Sequence, residues 1–187
     1  HFFEGKVIGH WDKSRSLVTE DRSILALTVN DAISDLPTLG RNQKKNKIQT
    51  NPLNEYQSER RKRSTKLTLH RAANHSDKMI EIMKHAGESV TCIPKHLITS
   101  GFSSCYSRLD GNKPSTTITV KFTSPASSRC IHPKQNRAIT PREAARIQSF
   151  DDDYILVGPI TEVASLLGNA VPPLLGEAIG KTLVNNV

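Results

Sequence analysis

Three cysteines and seven histidines are the side chains in this 187-residue sequence whose types suit covalent or metal chemistry. Their spacing argues against both uses. Cys92, Cys105 and Cys130 form no CxxC pair. None has an activating neighbour at a helix N-terminus, which a low-pKa nucleophilic thiolate needs. They read as structural or bystander thiols. His70 and His75 stand five apart, off any one helical face, and read as ordinary polar residues. No metal site, structural zinc or disulfide scaffold is therefore expected, and the cysteine usage fits a reducing compartment. No Gly-rich phosphate loop is present.

The charge pattern is more informative. The chain carries 26 Lys and Arg against 18 Asp and Glu, a net charge of +8. Residues 41–71 hold ten of the basic residues and only two acidic ones, so this segment accounts for the whole excess. Arg60-Arg61-Lys62-Arg63 is its densest run. A local excess of this kind suits a polyanion, most simply nucleic acid. The plainer alternative is a solvated basic linker.

Size and hydropathy set the outer limits. The length suggests one domain or one and a half. The apolar fraction is 36%, lean but compatible with a core. No apolar run approaches the roughly 18 residues of a membrane span, so no membrane association is expected. The start, His1-Phe2-Phe3-Glu4-Gly5, lacks both an initiator Met and a signal-peptide layout and reads as a cut or processed end.

Local patterns place the elements. Residues 1–27 read as a strand or two with turns. Asn30 reads as the cap of a short helix over 31–36 that Pro37 stops. Residues 38–66 read as a linker or a loop-rich region. Ser76 caps a helix over 77–86, with Met79, Ile80 and Met83 on one face. Ile118, Val120 and Phe122 alternate with Thr117, Thr119 and Lys121, the pattern of a half-buried strand. Thr140-Pro141-Arg142-Glu143 is a capping box with Pro at the first helical position, leading into Ala144-Ala145-Arg146-Ile147-Gln148. Arg142 and Arg146 fall one turn apart on that helix. A last helix follows Gly168-Asn169-Ala170-Val171-Pro172-Pro173, with Leu174, Leu175, Ala178, Ile179 and Leu183 as its apolar stripe.

The stretch from His132 through Arg137-Ala138-Ile139-Thr140-Pro141-Arg142-Glu143-Ala144-Ala145-Arg146-Ile147-Gln148-Ser149-Phe150 resembles motif IX of the cytosine-5 DNA methyltransferases. Gly168-Asn169-Ala170-Val171-Pro172-Pro173-Leu174-Leu175 is similar to their motif X, at the expected distance. Upstream, Thr28 to Pro37 resembles the segment after motif VIII, and Asn74-His75 the dipeptide that often precedes the recognition domain. Tyr106-Ser107-Arg108-Leu109 and Lys113-Pro114-Ser115-Thr116-Thr117-Ile118-Thr119 look like the recognition region itself. The resemblance covers about residues 28–184. The family's Phe-x-Gly-x-Gly, Pro-Cys, Glu-Asn-Val and Gln-Arg-x-Arg segments appear nowhere. Phe150-Asp151-Asp152-Asp153 also replaces the usual Phe-Pro-Asp.

The resemblance implies a C-terminal part of such an enzyme. The expected activity is target recognition and completion of an S-adenosylmethionine site, for methyl transfer to C5 of a cytosine flipped from duplex DNA. A second polypeptide would carry the catalytic Cys, and this chain alone would be inactive. No catalytic residue is expected within it. Asn169 and Ala170 would face the cofactor, unless Asn169 merely structures its loop. Arg108 would grip guanine O6 and N7, or else a phosphate or a surface carboxylate. Thr117 would meet backbone phosphate near the flipped base, or be a plain strand Thr. Arg60, Arg61, Lys62 and Arg63 would neutralise phosphates. Thr140, Arg142, Glu143 and Arg146 of motif IX would organise the recognition domain. The implied fold is α/β, a loop-rich small recognition domain plus elements completing a mostly parallel-sheet catalytic domain. Residues 1–40 would end the catalytic domain, 41–75 form a basic linker, 76–160 the recognition domain, and 161–187 return to the catalytic domain. The implied setting is cytoplasmic and nucleoid-associated, of bacterial or phage type. The alternatives are a DNA-binding remnant without chemistry and an RNA-acting relative.

Overall fold

Thr28 begins the helical part of the chain with a reciprocal cap. Its hydroxyl accepts from the Asp31 N–H at 3.1 Å, while the Asp31 carboxylate accepts from the Thr28 N–H at 2.8 Å. This capping box outcompetes Asn30, so helix α1 spans Val29–Ile33 and starts before the expected cap. The computed structural model describes residues 26–64, 66–98 and 101–185, together with the backbone of two earlier strands. Those strands, β1 (Ser16–Val18) and β2 (Ser23–Leu25), pair antiparallel. They are the only paired strands among the described residues, so the expected parallel sheet is not among them. Val7-Ile8, part of the expected early strands, lies outside the described residues.

The remaining helices are α2 (Glu55–Arg60), α3 (Asp77–Lys84), α4 (Pro141–Ile147), α5 (Ile160–Gly168) and α6 (Pro173–Asn185). Ser76 caps α3 as expected, its hydroxyl accepting from the Met79 N–H. None of them is long and apolar enough to cross a membrane.

One sequence expectation fails and a second is narrowed to one of its alternatives, each for an identifiable reason. The alternating stretch 115–122 pairs with no neighbouring strand. It runs extended and then turns, with the Phe122 N–H donating to the Thr119 carbonyl at 3.1 Å. Ile118 and Phe122 are buried, but Val120 is left exposed. The stretch 38–66 is the loop-rich alternative, anchored rather than free. Asn54 caps α2, and Gln57, fully buried, donates to the Asp31 carbonyl at 3.0 Å and to Ser34 Oγ at 2.9 Å. Tyr56 donates its hydroxyl to the Arg146 carbonyl at 2.5 Å. Amide and phenol anchors of this kind are hard to see in a polar segment, because they satisfy backbone groups rather than apolar surface.

One apolar core joins the parts. It draws Val29, Ala32 and Ile33 from α1, Ile48 and Leu67 from the basic segment, Leu109 and Phe122 from the middle, Ala144 and Ala145 from α4, and Val163, Ala164 and Leu167 from α5.

Candidate functional site

Helix α4 is buried along its whole first two turns, charged residues included. Its Thr140–Glu143 box closes at both ends: the Thr140 N–H donates to Glu143 Oε2 at 2.7 Å, and the Glu143 N–H to Thr140 Oγ1 at 3.1 Å. Arg137 grips the same carboxylate in a fork, with Nη1 and Nη2 donating at 2.8 and 2.6 Å. Burial alone would raise the Glu143 pKa, but the Arg137 hydrogen bonds and charge outweigh it and hold the carboxyl at about 2.

The two arginines one turn apart tie distant segments to α4. Arg142 donates to the carbonyls of Thr68 (3.2 Å), Asp151 (3.1 Å) and Tyr154 (2.6 Å) and to Thr68 Oγ1 (2.5 Å). Arg146 donates to Asp152 at 3.0 and 2.6 Å and to Asp35 at 3.2 and 3.4 Å, all with side chains closed to solvent. Charges this deep persist only when paired and hydrogen-bonded.

Three histidines surround this cluster. His70 lies 3.1 Å from Thr140 Oγ1 and 2.7 Å from the Pro37 carbonyl. His75 Nε2 accepts from the Ala138 N–H, and His132 Nδ1 accepts from the N–H groups of Lys134 and Gln135. Burial lowers the pKa of all three, that of His132 to about 4. Each is held neutral in the fold, so protonation favours the unfolded chain. The stability is present above the ordinary histidine pKa of roughly 6.5 and is lost as pH falls toward the folded value. Thermal melts should drop steadily between pH about 6.5 and 4, with His132 alone contributing on the order of 3 kcal/mol. A His132→Gln variant, whose loss over that window matched the parent's, would refute this assignment. His70 and His75 are thus structural groups, and no group of three or more His, Cys, Asp or Glu among the described residues could hold a metal.

A cleft of about 440 Å³ opens beside this scaffold. Its lining includes the 114–118 segment with Thr116 and Thr117, Gly168, Ala170 and Pro172, and Val29, Tyr56 and Ile147. Local contacts fix these segments. The N–H groups of Val29 and Asn30, which a helix start leaves free, donate to the carbonyls of Lys113 and Gly111 at 3.0 and 2.9 Å. Gln148 donates to the Leu167 carbonyl at 2.8 Å and so holds α5 to α4. At the junction, Gly168 lies directly against the Thr119–Val120 peptide, where an added Cβ would overlap the backbone.

The sequence-expected residues divide among several places. Thr117 and Ala170 line the one cleft. Thr117 is exposed, and its hydroxyl makes no hydrogen bond among the described residues. Asn169 is the C-cap of α5, exposed, with its side-chain amide uncommitted.

Arg108 lies elsewhere and requires a correction. Its five N–H groups donate to the carbonyls of Ala86, His132, Gln135 and Met83 and to Asn136 Oδ1, at 2.6–3.2 Å. No donor is left for guanine, because the guanidinium is saturated by the ends of two chain segments.

The 60–63 cluster also needs correction as a phosphate site. Arg60 donates to the Ser149 carbonyl at 2.8 Å, pairs with Asp151 at 2.9 Å and stacks over Tyr56. Arg61 donates to the Thr50 carbonyl at 2.7 Å. Arg63 pairs with Asp151 and Asp153 at 2.7 and 2.5 Å, and Lys62 stands 3.5 Å from Glu59. Local carboxylates and carbonyls already occupy these cations. The acidic triplet 151–153, set against a basic run of four, was the signal that could have found the pairing. Asp35, Thr68 and Tyr56, essential partners of α4, had no such signal.

Comparison with known proteins matches residues 9–185 to the family model for C-5 cytosine-specific DNA methylase. The chain is 39% identical to Type II methyltransferase M1.HphI of Haemophilus parahaemolyticus, over 62% of this chain and 30% of the relative. It is 31% identical to Type II methyltransferase M.DdeI of Desulfomicrobium norvegicum, over 83% of this chain and 42% of that protein. DNA (cytosine-5)-methyltransferase 1A of Oryza sativa subsp. japonica is 31% identical over 84% of this chain and 12% of its own length. A crystal structure of a putative DNA modification methyltransferase encoded within an Escherichia coli prophage superposes with a TM-score of 0.63 and 23% identity, covering 86% of this chain and 47% of that one. The chain therefore spans less than half the length of each of these proteins. With nearly its whole length matched by one family model, the chain belongs to the C-5 cytosine-specific DNA methylase family.

Proposed function

We propose that this chain is the target-recognition and cofactor-loop part of a cytosine-5 DNA methyltransferase. On this reading it works with a second polypeptide segment that carries the catalytic Cys and the remaining motifs. The observation that carries the reading is the shared cleft, which Thr117 of the recognition-like region and Gly168, Ala170 and Pro172 of the motif X-like loop line together. Residues 76–160 would serve recognition, 41–75 would join them to the preceding part as an anchored segment, and 1–40 and 161–187 would face the catalytic domain.

The uncovered face of α6 supports a missing complement. Leu174, Leu175, Ile179 and Leu183 are 38–64% exposed. A stripe of that size in water is a docking face, since each Å² of apolar surface withdrawn gains about 25 cal/mol.

The loop suits S-adenosylmethionine, which would supply the methyl group. Gly168 and Ala170 leave their part of the cleft lining without bulk, the Asn169 amide is free to donate and accept, and the Thr116 and Thr117 hydroxyls in the same lining are uncommitted. Asn169 and Ala170 would hold the cofactor. Thr117 would donate to a phosphate oxygen and so position the strand whose base is flipped out. The covalent step would fall to the partner segment.

The test is tritiated methyl transfer to plasmid DNA. The chain alone should give none, and addition of a polypeptide carrying the missing motifs should restore it. Transfer by the chain alone would overturn the need for a partner. DNA binding without transfer in the assembled pair would instead favour a non-catalytic DNA-binding remnant.

A further inference from the structure

Arg60, Arg61 and Arg63 have close internal partners and Lys62 a loose surface pair with Glu59, so less committed cations are better placed to meet a polyanion. Residues 43–47 run antiparallel to 66–72. The Lys45 N–H donates to the His70 carbonyl at 3.0 Å, the Leu67 N–H to Asn46 at 2.8 Å and the Ala72 N–H to Gln43 at 2.9 Å. Bridges set Lys44 opposite Arg71 and Lys47 opposite Lys66. Lys44, Lys45, Lys47, Lys66 and Arg71 are all exposed, and none makes an ion pair or side-chain hydrogen bond among the described residues. Residues 43–54 and 64–76 contain no Asp or Glu to neutralise them. Lys78, Lys95, Lys121 and Lys134 are also unpaired, but they stand singly along the chain.

Like charges placed directly across a bridge repel, and the segment keeps them because its other side chains are anchored. Ile48, Leu67, His70 and Ala72 from the same two segments are buried. The cations are therefore mounted on a backbone that is already ordered. Meeting a polyanion with such a set costs less conformational entropy than ordering a loose tail.

We propose that these exposed cations, Lys44, Lys45, Lys47, Lys66 and Arg71, with Lys44 beside Arg71 and Lys47 beside Lys66, track the phosphate backbone of duplex DNA. The proposal rests on the reading of the chain as part of a DNA methyltransferase, and it moves the phosphate contact away from Arg60–Arg63. Four of the five are lysines, compact point charges suited to phosphate and without the planar fork of arginine. Neither segment carries Phe, Tyr or Trp, so no stacking platform for unpaired bases is present. The set therefore fits a duplex backbone, and sequence reading falls to other residues.

The test is salt-dependent binding of the full chain to duplex DNA, by fluorescence anisotropy between about 50 and 200 mM salt. The triple variant Lys44→Gln, Lys47→Gln, Lys66→Gln should flatten the log–log slope by about 2.7, near 0.9 for each contact, and weaken binding on the order of tenfold or more. The double variant Lys62→Gln, Arg63→Gln should leave the slope unchanged. Matching thermal melts will show that both variants fold. An unaltered slope in the triple variant, with the parent binding DNA normally, would overturn this placement alone. A parent chain that does not bind duplex DNA would overturn the functional reading and this proposal together. Duplex RNA of equal length binding more tightly, through the same three lysines, would assign the surface to RNA and overturn the proposal for DNA.

Discussion

Arg146→Ala is expected to be the most destabilising single change in the chain. The guanidinium lies between Asp35 and Asp152, and all three side chains are closed to water. Removing it leaves two buried carboxylates with only longer contacts, Arg61 to Asp35 at 3.4 Å and Arg142 to Asp152 at 4.0 Å. Breaking such a pair costs about 3–5 kcal/mol, roughly 10 °C or more of Tm in a chain of this size. Arg146→Lys should recover only part of this, since one ammonium cannot reproduce a fork that reaches both carboxylates. A triple variant with Met at 146 and Asn at 35 and 152 should melt closer to the parent. Circular-dichroism melts of the four proteins measure this directly. Equal Tm values for Arg146→Ala and the parent would mean that the α4 arginines do not hold the fold.

Gly168→Ala is expected to have the largest effect on the cleft. A methyl there overlaps the Val120 backbone nitrogen and Cα and the Thr119 carbonyl carbon. Main chain cannot step aside as a flexible side chain can, so the 114–120 segment must move away from the 168–172 loop. Overpacking of this kind costs about 1–3 kcal/mol. The displacement should matter more than the energy: on the proposed reading, misplacement by about 1 Å in the complemented enzyme lowers transfer by up to roughly a hundredfold. Gly180→Ala on α6 is the contrast, because nothing lies within 4 Å of its added methyl. That change should raise the Tm of the isolated chain, as Ala is favoured over Gly inside a helix by about 0.5–1 kcal/mol. Methyl transfer by the complemented Gly168→Ala chain at the parent's rate would show that the two segments are not coupled.

What the residues disclosed beforehand followed from how local the information was. The Thr140–Glu143 cap and the Ser76 cap lie within four residues of sequence, and both helices begin there. Thr28 beat Asn30 to the cap of α1 only because Asp31 could answer it, a contest between two good caps three residues from the same turn. Helix α5 went unread although its apolar content is high, because Pro159 gives it no side-chain cap. The functional residues divided along the same line. The loop that carries Asn169 and Ala170 was singled out by its resemblance to motif X, and its cofactor role is a proposal. Arg108 was misread because its five acceptors come from positions 22 to 28 residues away in either direction. Charge counting located the basic segment correctly, yet it could not tell Arg60, spent on Asp151, from Lys44, spent on nothing. That distinction depends on which carboxylates the fold brings back, and Asp151 and Asp153 return from some ninety residues downstream.

Four of the five acceptors around Arg108 are main-chain carbonyls, at positions 83, 86, 132 and 135. A carbonyl is present whatever side chain a position carries. The staple thus holds the end of α3 against the 132–136 turn without asking much of the residues it joins. Ala86 and the solvent-facing residues around it are free to drift in sequence while the frame keeps its shape. On the recognition reading proposed above, that separates the part that can vary from the part that must stay. New surface side chains could then be tried there without reopening the question of whether the chain folds.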